Sequence, residues 1–129
     1  MSDHENSNRQ ESIQAEIERA MSRYSEGHRW ESISLFSSEG LLMANHGNSP
    51  YYGQDNLLEF SFSLIETVKL LQSRDVQEII VKGREHRTLV FRYFEAWGET
   101  FIIAAVIKGR EWYRRAMNQL ILKIQALYN

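Results

Sequence analysis

Residues 76–107 read VQEIIVKGREHRTLVFRYFEAWGETFIIAAVI, and this stretch decides the fold. It contains three runs rich in β-branched and aromatic residues, 76–82, 88–94 and 100–107, separated by two short polar connections that each contain a glycine. Such side chains suit a pleated surface, and short glycine-containing links join neighbouring antiparallel strands, so a three-stranded meander is expected. The run FIIAAVI, residues 101–107, has no polar position. A strand covered on one face alternates; one with no alternation belongs in mid-sheet with both faces covered.

Upstream the period changes. A second helix is expected over residues 54–72, with Asp55 or Asn56 near its cap. Leu57, Ser61, Leu64, Val68 and Leu71 form one stripe at 3.6-residue spacing, with Leu58, Phe60 and Ile65 beside it. Phe62 and Leu70 fall well outside that stripe, so a second surface is expected to cover this helix. Before it lies the loop GNSPYYG, residues 47–53, and before that a hairpin. In its first strand Trp30, Ser32, Ser34 and Phe36 alternate with Glu31, Ile33, Leu35 and Ser37; the turn Ser38-Glu39-Gly40 then leads into a second strand, residues 41–46. A first helix is expected from Ser12 as N-cap, carrying Ile13, Ile17, Ala20 or Met21 and Tyr24 on one face and ending near Gly27. Residues 1–9, MSDHENSNR, hold almost no apolar surface and are expected to be a flexible tail ahead of one domain, residues 10–129. The chain closes with a helix from about Arg110, whose stripe of Tyr113, Met117, Leu120, Ile124 and Leu127 is widened by Trp112, Ala116 and Ile121.

Composition narrows the function. With 129 residues one ordinary core suffices, and with no cysteine there are no disulfides, no thiolate catalysis and no sulfur-ligated zinc. No apolar run approaches the ~20 residues of a membrane span and the N-terminus lacks a secretory pattern, so a cytoplasmic location is expected. Residues 1–65 carry 4 Lys/Arg against 10 Asp/Glu, whereas residues 66–129 carry 11 against 7. Unlike halves of this kind steer a charged protein partner but make no domain-wide footprint for nucleic acid.

Catalytic patterns are missing. Gly-x-Ser-x-Gly, Gly-x-Gly-x-x-Gly and the P-loop are all absent, so the chain is not itself a GTPase. His4, His28, His46 and His86 are scattered over tail, loop, strand end and turn, which fits surface histidines and no metal. Glu16 and Glu18 diverge on a helix, and Glu95 and Glu99 bracket a turn. No catalytic residue, metal or cofactor is expected. Two features suit a protein partner: Trp97 in a polar turn, which either anchors an interface or folds back on the sheet, and the basic cluster of Lys108, Arg110, Arg114 and Arg115 with Arg84 and Arg87.

The order helix, hairpin, helix, meander, helix resembles the roadblock/dynein light chain family over residues 11–127. The residues that carry the likeness are ISLFSSEGLLMAN (33–45), VQEIIVKG, TLVFRYF and FIIAAVI followed directly by a helix. The resemblance implies an α+β domain of order α-β-β-α-β-β-β-α with the roadblock (profilin-like or longin-like) fold. Its five-stranded antiparallel sheet carries the first and last helices on one face and the second helix on the other. It further implies a homodimer formed through second helices and third strands, a seam that here comprises Leu58, Phe62, Ile65, Lys69, Leu70, Val76, Glu78 and Ile80. Trp97, Arg110, Arg114 and Arg115 are left for a further partner. The implied function is that of a non-catalytic adaptor or regulator of a Ras-like small GTPase; the alternatives are a small-molecule sensor and a structural light chain of a larger complex. The bulk of Leu58, Phe60 and Phe62 departs from the small residues usual in the family's second helix.

Overall fold

The structure is a computed structural model that describes residues 2–70, 77–109 and 112–127, with side chains from residue 12 onward except at residue 68. Helix α1 (Ser2–Ser25) leads into β1 (Trp30–Ser37) and β2 (Leu42–Gly47), α2 (Gln54–Leu70), β3 (Glu78–Lys82), a single 3-10 turn (Arg84–His86), β4 (Arg87–Ala96), β5 (Glu99–Lys108) and α3 (Arg114–Ala126). The strands form one sheet in the order β2-β1-β5-β4-β3, with every pairing antiparallel. The unbroken apolar strand is indeed central: each residue from Phe101 to Ile107 is at most 1% exposed.

Alternation along β5 builds two cores. Phe101, Ile103, Ala105 and Ile107 meet Ile17, Ala20 and Met21 of α1 and Ala116, Met117, Leu120, Ile121 and Ile124 of α3. Ala104 and Val106 meet Leu57 of α2, with Phe36, Leu89 and Phe91 completing that cluster. The α2 layer is the weaker one. Among its described side chains only Leu57 and Ser61 are buried, against five apolar residues of α3. Each large apolar side chain so buried contributes ~1.5–3 kcal/mol, whereas a buried hydroxyl contributes nothing comparable.

Several expectations are corrected. The α1 helix starts at Ser2 and not near Ser12, so the backbone of the expected tail continues the helix; once a helix is nucleated, extension adds a hydrogen bond for each residue fixed. In β1 a register irregularity between Trp30 and Ser32 breaks the simple alternation. It moves Trp30 into the same core as Ile33 and Leu35. The second meander turn is shorter than expected: Ala96 pairs with Glu99, leaving only Trp97 (φ 55°) and Gly98 (φ 78°) in the turn. Positive φ at both positions is the type I′ form of a two-residue hairpin loop, whose twist matches that of the flanking strands. At the C-terminal end α3 begins at Arg114, later than the expected Arg110, and Trp112 ahead of it is 75% exposed and not part of the core stripe.

Candidate interaction surfaces

β3 is a sheet edge, and its hydrogen bonding shows which backbone groups have no partner among the described residues. Tyr93 N–H donates to the Gln77 carbonyl at 2.8 Å, and Gly83 N–H donates to the Arg87 carbonyl at 2.8 Å. Between these, Ile79 pairs with Phe91 and Val81 with Leu89. Antiparallel ladders alternate, so odd-numbered residues bond inward to β4 and the N–H and C=O of Glu78, Ile80 and Lys82 point off the sheet.

Side chains divide differently. Ile79 and Val81 pack with the α2 cluster. By alternation Glu78, Ile80 and Lys82 project from the other face, on the side of α3. Glu78 is fully engaged there: Tyr113 Oη donates to Oε1, Arg92 Nη2 lies 3.3 Å from Oε2 and Arg114 Nε lies 4.0 Å from it. Arg92 also donates to Asn118 Oδ1 at 2.6 Å, tying β4 to α3. Burial, then the bond to Glu78, raise the Tyr113 phenol above its ordinary value. Tyr93, by contrast, is pushed up to about 12 by burial alone.

The expected seam is therefore split. Phe62, 41% exposed, lies over the β1–β2 turn, where its ring fills the space a Cβ on Gly40 would need. Helical spacing puts Leu58, Ile65 and Lys69 on that same flank. The flank of α2 toward β3 carries Phe60 instead, 39% exposed with its ring 5.1 Å from that of Phe91. Leu70 is 83% exposed at the helix end, and Val76 lies outside the described residues. Periodicity sets Phe60 beside the core stripe, and its place about 60° from the stripe's centre, on the side opposite Phe62, is the signal that it is an edge aromatic.

Of the partner-binding candidates, Trp97 folds back, its ring edge-on to Phe101 at 4.9 Å. Arg114 and Arg115 are exposed at the start of α3, and Arg110 lies outside the described residues. Arg87 leaves the basic cluster: it is 8% exposed and holds Glu31 through Nε at 3.1 Å and Nη2 at 2.6 Å, with Tyr51 beneath its guanidinium at 4.5 Å. This bond draws the Glu31 carboxyl below its ordinary value of 4.5. Sequence reasoning missed Trp112, which with Ile80, Lys82, Thr88, Ile107 and Tyr113 lines a cleft of about 290 Å³ on the α3 side. Among the described residues no helix is long and apolar enough to cross a membrane, and no group of three or more His, Asp or Glu side chains converges as a metal site would require.

No protein-family model and no curated protein matches the chain. Solved structures do. Myxococcus xanthus MglB superposes with a TM-score of 0.72 at 11% identity, covering 88% of each chain. An MglB with a tetrameric arrangement gives 0.68 at 13% identity over 89% of each chain. The roadblock/LC7 domain from Streptomyces avermitilis gives 0.64 at 16% identity, over 86% of this chain and 93% of that one. The chain has the roadblock fold.

Proposed function

We propose that the chain is a roadblock-family homodimer, without catalytic chemistry of its own, that serves as a cytoplasmic adaptor or regulator for a Ras-like small GTPase. The observation that carries self-association is the edge of β3, unpaired among the described residues, where three outward residues offer both backbone groups. A second copy satisfies them. Antiparallel pairing of two β3 strands about a two-fold axis at Ile80 sets Ile80 opposite its equivalent and Glu78 of one protomer opposite Lys82 of its partner, an arrangement of opposite charges that favours the register. On the α2 face the same axis brings the Phe60 flanks of two helices toward each other, and burying two half-exposed aromatics adds apolar area to the seam.

The likeness of fold to the MglB structures, one of them in a tetrameric arrangement, supports a regulatory assembly. The GTPase itself rests on the family resemblance in residues 33–45 and 76–107. Sedimentation equilibrium together with nucleotide turnover by a Ras-like small GTPase, measured with and without the chain, tests the proposal. A dimer at micromolar concentration that alters turnover is expected. A monomer that leaves turnover unchanged refutes it.

A further inference from the structure

The two faces of the sheet are covered unequally. Five strands spaced ~4.8 Å apart span about 20 Å, room for two helices of ~10 Å diameter side by side. One face has two, α1 and α3, packed on a common core. The other has α2 alone among the described residues, seated on Phe36, Ala104, Val106, Leu89 and Phe91 of β1, β5 and β4. Strand β2 is left bare there. Its Ala44 is buried in the core shared with α1, whereas Leu42, opposite Phe36 in register and so on the α2 face, is 44% exposed. Beside Leu42 rises the flank of α2 that carries Phe62, its ring against Gly40. Leu41, between Gly40 and Leu42, adds a third apolar side chain, 59% exposed. Asn45 continues the floor along β2. Its side chain accepts from Ser34 Oγ at 2.8 Å and donates to the Gly47 carbonyl at 3.3 Å, so the amide is largely satisfied before anything covers it.

The charge around this shelf has one sign. No Lys or Arg occurs between Trp30 and Val68. Glu59 and Glu66 lie one turn to either side of Phe62 on α2, and Glu39 precedes Gly40 in the turn beneath its ring; all three are exposed. Glu39 and Glu59 enter no ion pair among the described residues. Glu66 has an exposed contact with Lys69 at 3.5 Å, of a kind that contributes little. We propose that this shelf receives a basic amphipathic helix of a partner protein. The helix lies beside α2 over β2, with its apolar stripe on Leu42 and Phe62 and its Lys or Arg side chains on Glu39, Glu59 and Glu66. The bare width of one helix selects the shape, and the carboxylates select the charge. They also disfavour anionic lipid and nucleic acid, which carry the same sign. The site needs no second copy of the chain, because the proposed β3 pairing uses the Phe60 flank on the other side of α2.

A phage library displaying single helices with their surface positions randomised, panned on the full chain, tests this, with enriched peptides remeasured by calorimetry. Enriched sequences are expected to share an apolar stripe at i, i+4 spacing and an excess of Lys and Arg, and to gain helicity on binding. Leu42→Ser, Phe62→Ser and the double variant Glu39→Lys/Glu59→Lys should each bind them roughly tenfold or more weakly, the last loss shrinking as salt is raised. Phe60→Ser, on the opposite flank, should leave the affinity unchanged. Circular dichroism on each variant separates loss of the shelf from loss of fold, and Leu42, half in solvent already, is the change the fold tolerates best. No enrichment, enriched peptides without basic excess, or unchanged affinity for a folded Leu42→Ser overturns the proposal. So does affinity lost on Phe60→Ser and kept on Phe62→Ser. A fall in oligomeric mass for Leu42→Ser without peptide, read by light scattering, also overturns it and assigns the shelf to a second copy of the chain.

Discussion

At the β2 edge the backbone is answered from within the chain: the Asn45 N–H, which faces away from β1, donates to the Glu18 carboxylate of α1 at 2.9 Å. The β1–β2 register also slips between Leu35 and Phe36, where Met43 is the extra residue. Bulges of this kind twist an edge and end its pairing potential. At the β3 edge neither device is present among the described residues. Its five residues run in regular register, and the one carboxylate available, Glu78, is drawn onto Tyr113 and Arg92. The difference bears on assembly. A chain with two open edges can stack β3 on β2 without limit, whereas a sealed β2 leaves only β3 on β3, a closed two-fold pair.

The strongest way to break the comparison is Ile80→Pro. The Ile80 N–H points outward, so proline removes no ladder bond and is tolerated at an edge, yet it blocks the centre of the proposed β3–β3 pairing. Self-association measured by light scattering is expected to weaken by about two orders of magnitude or more, with circular dichroism little changed. Ile79→Pro, one residue away, removes a bond to Phe91 and should instead lower the melting temperature of the monomer. Unchanged mass for Ile80→Pro moves the seam away from β3.

Next in size is Glu31→Gln, which tests whether edge chemistry or overall stability governs association. Arg87 is nearly buried, and in the variant its charge faces only neutral acceptors, the new amide oxygen and the Glu85 carbonyl, with the Tyr51 ring. A fall in melting temperature of roughly 10 °C is expected at neutral pH, with the dimer constant unaffected. The pH dependence has a definite sign. Because Arg87 holds the Glu31 pKa below 4.5 in the folded state, the carboxylate's contribution is complete above that value and is lost as the pH falls through the lowered one. The gap between wild type and Glu31→Gln should therefore narrow below about pH 4.5. A gap that is constant with pH would mean that the ionised pair is not what stabilises.

Legibility in the sequence followed the same division between interior and edge. FIIAAVI announced the central strand because burial on both faces removes every polar residue, and the faces of α1 and α3 were readable from spacing for the same reason. The edge was less legible. Whether Ile79 or Ile80 turns its backbone outward depends on register with β4, which no composition encodes. Periodicity separates Phe60 from Phe62 on the helix but does not say which strand each meets. Trp97 and Trp112 exchanged roles through local backbone geometry: a positive φ turns the first onto Phe101, and a helix that begins at Arg114 leaves the second outside the core. Arg87 read as part of a basic patch because its partner, Glu31, lies 56 positions away in the chain.

A smaller effect is expected from opening the sealed edge. Glu18→Ala leaves the Asn45 N–H without its charged acceptor, at a cost of about 1–2 kcal/mol for a partly buried bond. Stability should fall by that amount in urea titration. Once β2 can pair, species larger than a dimer should appear at high concentration. If the stability falls but the mass does not rise, the bulge at Met43 alone is enough to seal the edge.

The smallest effect should come from Lys82→Glu. With the two-fold axis at Ile80, Lys82 of each protomer faces Glu78 of the other, and opposed charges at such positions contribute about 0.2–1 kcal/mol each. The interaction occurs twice, and reversal turns both attractions into repulsions, so the dimer constant should weaken by roughly tenfold at low salt and by less at high salt. Glu78 is the wrong residue to reverse, because its loss also releases Tyr113 and Arg92 and confuses register with fold. An axis displaced by two residues, onto Glu78 or Lys82, would bring like charges together in the wild type, and Lys82 would no longer face Glu78, so at an axis on Lys82 the Lys82→Glu change trades one like pair for another and leaves the dimer constant nearly unmoved. A weakening on Lys82→Glu therefore places the axis at Ile80, which the larger effect of Ile80→Pro does not do.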